Sequence, residues 1–222
     1  MKNGKRYAVA VAGISIVVAI AISFTSYLGQ IEQVERQSQV DNVPMATFQA
    51  PFLGSMSATV TIVEIGDYQC EACKHWFDHT RQDIIDSYID TGKVNLTFID
   101  MAFQGVHSHD AAMASYCAGD QDKYWDYHVM LYEHQEGVDT GWANNERLKS
   151  FAFTLGLDID EFSHCLDSKK YYNQVKLNLE KSTSIGADRT PTFIIVNASG
   201  EQRQIIGAQT FGVFEKVIES LL

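Results

Sequence analysis

The chain is poor in what a metal-binding or nucleic-acid-binding protein needs. Its 222 residues hold only four cysteines, and only Cys70 and Cys73 lie close together. A structural zinc site is usually built from two close pairs of ligands. Cys117 and Cys165 are single, and no histidine pair stands at finger spacing from Cys70, so zinc is set aside. His75 and His79 share a helix face at i, i+4, but no further ligands can be placed beside them. Cations are also scarce, with 17 Lys+Arg against 28 Asp+Glu. Such a chain repels phosphate backbones, which excludes nucleic acid as a partner. There is no internal repeat and no low-complexity tract. Tyr7 to Leu28 contains no charge at all.

That uncharged run is rich in Ala, Val and Ile and, at helical rise, spans about 33 Å, one hydrocarbon core. It is too long for the apolar region of an ordinary secretory signal, and no convincing cleavage site follows it. Lys2, Lys5 and Arg6 precede it, which puts the N-terminus inside and the remainder outside. We expect a cytoplasmic stub and single transmembrane anchor over residues 1–29 and a polar tether over 30–50. A folded domain over 51–222 is expected beyond the cell membrane, or secreted should the segment be cleaved. Either route leads to a compartment where disulfides persist.

Within the domain, Thr59 to Ile65 is β-branched and reads as a buried strand. A turn at Gly66 to Gln69 leads into a helix from about Cys70 to Ile89, and Val94 to Ile99 reads as a second strand. From about 107 to 185 only helical patterns occur. Thr192 to Val196 and Gln202 to Ile206 return to strand character around a turn at Asn197 to Gly200, and a helix closes the chain. The plan is β-α-β, a helical insertion, then β-β-α: an α/β domain with one mixed sheet.

Cys70-Glu71-Ala72-Cys73 therefore falls at a strand–helix junction. The first sulfur lies near unsatisfied backbone N–H groups and the positive end of the helix dipole, which favours its thiolate. The second lies deeper in the turn. One exposed nucleophile and one buried resolving thiol are expected, and a purely structural bond rarely closes so short a loop. Glu71 sets an anion beside Cys70, which disfavours the thiolate. With Ala72 it forms the dipeptide that tunes the attacking sulfur. Of Trp76 and Phe77, at least one is expected in the core.

The stretch from Thr59 to Cys73 resembles the strand and active-site helix of the DsbA-like thiol:disulfide oxidoreductases. Ala111-Ala112 to Cys117-Ala118, Tyr124-Trp125 and Tyr127-His128 resemble that family's first inserted helices. Leu155 to Asp158, Phe162 and Cys165-Leu166 resemble the later ones. Thr190-Pro191-Thr192-Phe193 is similar to its cis-proline segment, and Ile206-Gly207-Ala208 also fits. The motifs recur in order from about Pro51 to Leu222. The resemblance implies a thioredoxin-like fold with an inserted all-helical subdomain. It implies a cis Thr190–Pro191 bond beside the cysteines, leaving Thr190 backbone groups free for a bound peptide. It implies Glu64 beneath the disulfide, able to take the proton from Cys73 during release, and a Cys117–Cys165 bridge bracing the insertion.

The activity so implied is disulfide exchange with cysteine-containing unfolded or extracytoplasmic proteins, in the oxidase direction, with reoxidation by a quinone-linked membrane partner. No cofactor and no metal enter this reading. Glu71 departs from the family's more familiar Pro-His and Pro-Tyr dipeptides, so a milder oxidant is expected. A reductase or isomerase of the same compartment stays open, because sequence does not fix the direction of electron flow. So does a thioredoxin-fold binding module or metallochaperone.

Overall fold

The computed structural model describes residues 51–222. The expected anchor and tether, residues 1–29 and 30–50, lie outside the described residues. Among the described residues no helix is long and apolar enough to cross a membrane.

Five strands form one sheet: β1 (Phe52–Leu53), β2 (Val60–Gly66), β3 (Val94–Asp100), β4 (Thr192–Asn197) and β5 (Gln202–Ile206), in the order β1-β3-β2-β4-β5. β2 runs parallel to β3, and every other pairing is antiparallel. The apolar, β-branched β2 takes the centre, where both of its faces are covered. Glu64 stands in the middle of that strand, opposite Phe98 on β3 and Phe193 on β4.

The crossover from β2 to β3 is α1, residues 71–89. It is α-helical at Glu71–Trp76 and Gln82–Ile84, with π-helical turns at Phe77–Arg81 and Ile85–Ile89. A regular α-helix is the sequence expectation. The buried pairs Trp76 and Arg81, and Ile84 and Ile89, are five residues apart, and the wider turns carry both members of each inward.

The insertion contributes α2 (Ser108–Gly119), α3 (Tyr124–Glu133), α4 (Asn145–Thr154), α5 (Ile159–Asp167) and α6 (Tyr172–Ser184), and α7 (Phe211–Glu219) closes the chain. Small and apolar side chains leave α2 buried nearly all round from Ala111 to Ala118, as suits the central helix of a bundle. Polar caps fix the later starts: Asn144 accepts from the Arg147 N–H, and Asp158 from those of Asp160 and Glu161. The chain thus has the thioredoxin-like α/β fold with an inserted helical subdomain.

Three clusters make the core. One joins Tyr68 and Phe98 to the insertion. The second packs Trp76 against Ile62, Phe193 and Phe214. The third gathers Val63, Ile65, Ile99 and Ile194. Trp76 is therefore core, while Phe77 is partly buried against the insertion.

Candidate active site

β2 ends at Gly66, and the chain turns through Asp67, Tyr68 and Gln69 to deliver Cys70 as the N-cap of α1. The cap is made by sulfur: Cys70 Sγ accepts from the Cys73 N–H at 3.3 Å. Cys70 and Cys73 are both free thiols here. On the far side Cys70 Sγ lies 3.5 Å from the carbonyl oxygen of Thr190, to which it donates when protonated. The Thr190–Pro191 bond is cis, and both residues are buried at the entry to β4. The cysteine pair and the Thr190–Pro191 turn, 120 residues apart in sequence, thus meet at one sulfur.

The two thiols are unlike, though exposure alone does not separate them. Cys70 is 4% exposed and Cys73 0%, so the attacking sulfur expected in the open is nearly covered. Their electrostatics diverge. The Cys70 pKa is lowered from 9.0 to about 6. A hydrogen bond from the Cys73 thiol is the largest cause, and burial opposes it. The Thr190 side chain and the backbone N–H groups of Cys73 and Ala72 add to the lowering. Cys73 moves the other way: burial, its hydrogen bond to Cys70 and the nearby charges of Cys70 and Glu64 push it well above the ordinary thiol range. At neutral pH the geometry holds one thiolate and one neutral thiol. Glu71 and Ala72 are exposed.

Glu64 is wholly buried, and neither of its carboxyl oxygens has a protein hydrogen-bond partner. Burial raises its pKa from 4.5 to about 8; the Arg81 guanidinium opposes this and Cys70 adds to it. Arg81 was not among the residues singled out in the sequence. It enters from the π-helical turn of α1, is itself buried, and sits over the Phe77 ring at 5.2 Å. The signal for it was a cation five residues from Trp76, on the helix face that Cys73, Trp76, Ile84 and Tyr88 bury. Tyr68, just before the cysteines, bonds through its hydroxyl to His128 Nδ1 at 3.0 Å and ties the turn to the insertion. Cys117 on α2 and Cys165 on α5 are bonded to each other, with Cα atoms 5.8 Å apart. His75 and His79 stack at 4.4 Å on the exposed face of α1.

Comparison with known proteins finds relatives over most of the chain. A family model described as thioredoxin matches residues 47–220. The disulfide bond formation protein D of Bacillus subtilis is 31% identical over 65% of this chain and 67% of its own length. A probable disulfide bond formation protein D of Bacillus cereus is 27% identical over 88% of this chain and 90% of its own. The crystal structure of oxidised BdbD from Bacillus subtilis superposes with a TM-score of 0.73 at 25% identity, over 83% of this chain and 97% of that one.

Proposed function

Because the chain belongs to the DsbA-like, thioredoxin-fold thiol:disulfide oxidoreductases, we propose that Cys70 and Cys73 oxidise cysteine-containing unfolded or extracytoplasmic proteins. A substrate thiolate attacks Cys70 Sγ of the Cys70–Cys73 disulfide. A substrate–Cys70 bond forms, the Cys70–Cys73 bond breaks, and the electron pair leaves on Cys73. Glu64, protonated for much of the neutral range and not bonded directly to Cys73, gives it a proton through one intervening water, and in the reverse step takes it back. The substrate's second thiolate then attacks the substrate sulfur of the mixed disulfide and expels Cys70 as thiolate. Two electrons have passed to the enzyme, and the substrate carries a disulfide.

One observation carries the direction: Cys70 Sγ caps α1 and accepts from the Cys73 N–H, an arrangement that favours its thiolate, with a pKa of about 6, as leaving group. Stabilising the reduced form makes the disulfide more oxidising. At pH 7 that shift is worth about 1.4 kcal/mol, or about 30 mV on the two-electron scale. The Glu71-Ala72 dipeptide lacks the cation that would extend the effect, so the oxidant is a mild one. In the oxidised protein Cys70 has no thiol proton, so the Thr190 carbonyl it otherwise bonds is open to an extended substrate segment beside Pro191.

The domain, residues 51–222 with its insertion at about 107–185, works outside the cell. Residues 1–29 anchor it with the N-terminus inside, and 30–50 tether it. A quinone-linked membrane protein reoxidises it, and the shared membrane raises the effective concentration of the two. Equilibration of the Cys70–Cys73 couple against a glutathione buffer tests the direction. A potential above that of the compartment is expected, and one well below it would turn the enzyme into a reductase.

A further inference from the structure

Two irregular loops flank Cys70: residues 101–107 after β3, and 134–144 between α3 and α4. Their backbone N–H groups need partners, and side chains of the Asp67–Gln69 turn supply several. Asp67 Oδ2 accepts from the N–H groups of Phe103 and Gln104, both at 2.8 Å, while its Oδ1 accepts from that of Gln69. Gln69, buried, bridges the loops. Its Oε1 accepts from the Asp139 N–H at 2.8 Å and its Nε2 donates to Ser108 Oγ at 3.2 Å. Asp139 closes the circuit, its Oδ1 accepting from the Val106 N–H at 2.8 Å. Gly105 lies inside it: a Cβ there would stand 2.4 Å from Asp139 Oδ1 and 2.6 Å from Gln69 Nε2, so a side chain would break the network.

What the network holds in place is apolar and open to solvent. Phe103, Val106 and Val138, on these two loops, are 47%, 74% and 39% exposed. The same loops touch the reacting centre elsewhere. Gln104 Nε2 reaches Thr190 Oγ1 at 3.5 Å, and Gln135 Nε2 donates to the Cys70 carbonyl at 3.1 Å. The positions of three exposed apolar side chains are thereby fixed relative to Cys70. No bond of Asp139 or of the Gln69 side chain reaches Cys70 Sγ.

We propose that Gln69 and Asp139 are positioning residues for protein substrates. They hold Phe103, Val106 and Val138 where apolar side chains flanking a substrate cysteine meet them. The inference rests on the thiol-exchange reading above and adds to it the device that sets substrate preference. A small dithiol has no flanking side chains and does not feel the device.

The test measures exchange by the oxidised protein with three substrates: dithiothreitol, a two-cysteine peptide flanked by Leu and Val, and the same peptide flanked by Ser. Wild type should favour the apolar peptide through KM. Asp139→Ala, on an exposed loop, should raise KM for that peptide by about tenfold, about one hydrogen bond's worth. Its kcat and its dithiothreitol rate should stay at the wild-type level, and Asp139→Asn, which keeps the acceptor oxygen, should restore KM. Gln69→Leu and Val106→Ser should lower the same apolar-to-polar preference. The proposal is overturned if the preference survives in Asp139→Ala and Val106→Ser, or if dithiothreitol exchange falls in step with peptide exchange. Wild type that exchanges with neither peptide nor dithiothreitol would instead sink the underlying thiol-exchange reading.

Discussion

Replacing Glu64 by Gln should stabilise the protein, by an amount that grows with pH. Glu64 is fully buried on the central strand, its carboxyl oxygens meet no protein donor, and its pKa is about 8 against an ordinary 4.5. A folded-state pKa raised above the unfolded value means that the native state holds a proton which the unfolded chain releases. Stability is then complete below pH 4.5 and declines as pH rises toward 8. With those two values, the deficit is near zero at pH 4, about 3 kcal/mol at pH 7 and about 5 kcal/mol at pH 9. The amide of the Glu64→Gln variant cannot ionise, and it copies the shape of the neutral acid. Arg81 faces the same uncharged neighbour in the variant and in the protonated wild type, so the cation does not distort the comparison. Urea unfolding of both proteins in the oxidised state, at several pH values, reads the difference without interference from thiols; with no Cys70 thiolate beside Glu64 the gap falls somewhat below these figures. Equal stability at pH 4 and a widening gap above it are expected. A gap that does not change with pH, or a variant less stable at pH 7, would refute the reasoning.

In the reduced protein Cys70 acts with the opposite sign. Its folded pKa of about 6 lies below the ordinary 9.0, so its stabilisation is present at high pH and lost as pH falls through 6. Relative to Cys70→Ser, the reduced wild type should gain about 1.4 kcal/mol between pH 5 and 7, measured by urea unfolding. Arg81→Met removes the cation that holds Glu64 down, so the Glu64 carboxyl resonance, followed by carbon-13 NMR, should titrate above its wild-type midpoint. Replacing both Cys117 and Cys165 by Ala opens the cross-link between α2 and α5 and should cost about 2–4 kcal/mol of unfolding free energy. Exchange at Cys70 with a small dithiol should persist in that variant.

The four long strands and the helical insertion were legible because their signals are local. A β-branched run such as Val60–Gly66 declares itself within a few residues, and the stretch from about 107 to 185 shows helical patterns with no strand pattern between them. The two-residue β1, Phe52–Leu53, was not read, since its pairing partner is β3 and nothing in two residues marks a strand. The cysteine pair was visible from its spacing, and the Thr190–Pro191 turn only through family resemblance. The meeting of the two at Cys70 Sγ is a product of tertiary folding. Arg81 was overlooked because an isolated cation on a helix usually reaches water, and only the wider helical turn carries it inside. Gln69 and Asp139 were overlooked for a related reason. Their partners are backbone groups of loops that no periodicity predicts.

The central claim is that Cys70 is the attacking sulfur and Cys73 the resolving one. Incubating reduced Cys73→Ser with a disulfide-linked peptide tests it most directly, with the adduct mapped by mass spectrometry. A stable peptide–Cys70 mixed disulfide is expected in that variant, and no comparable adduct in Cys70→Ser. An adduct on Cys73 in the Cys70→Ser protein, with none on Cys70 in its counterpart, would contradict the claim.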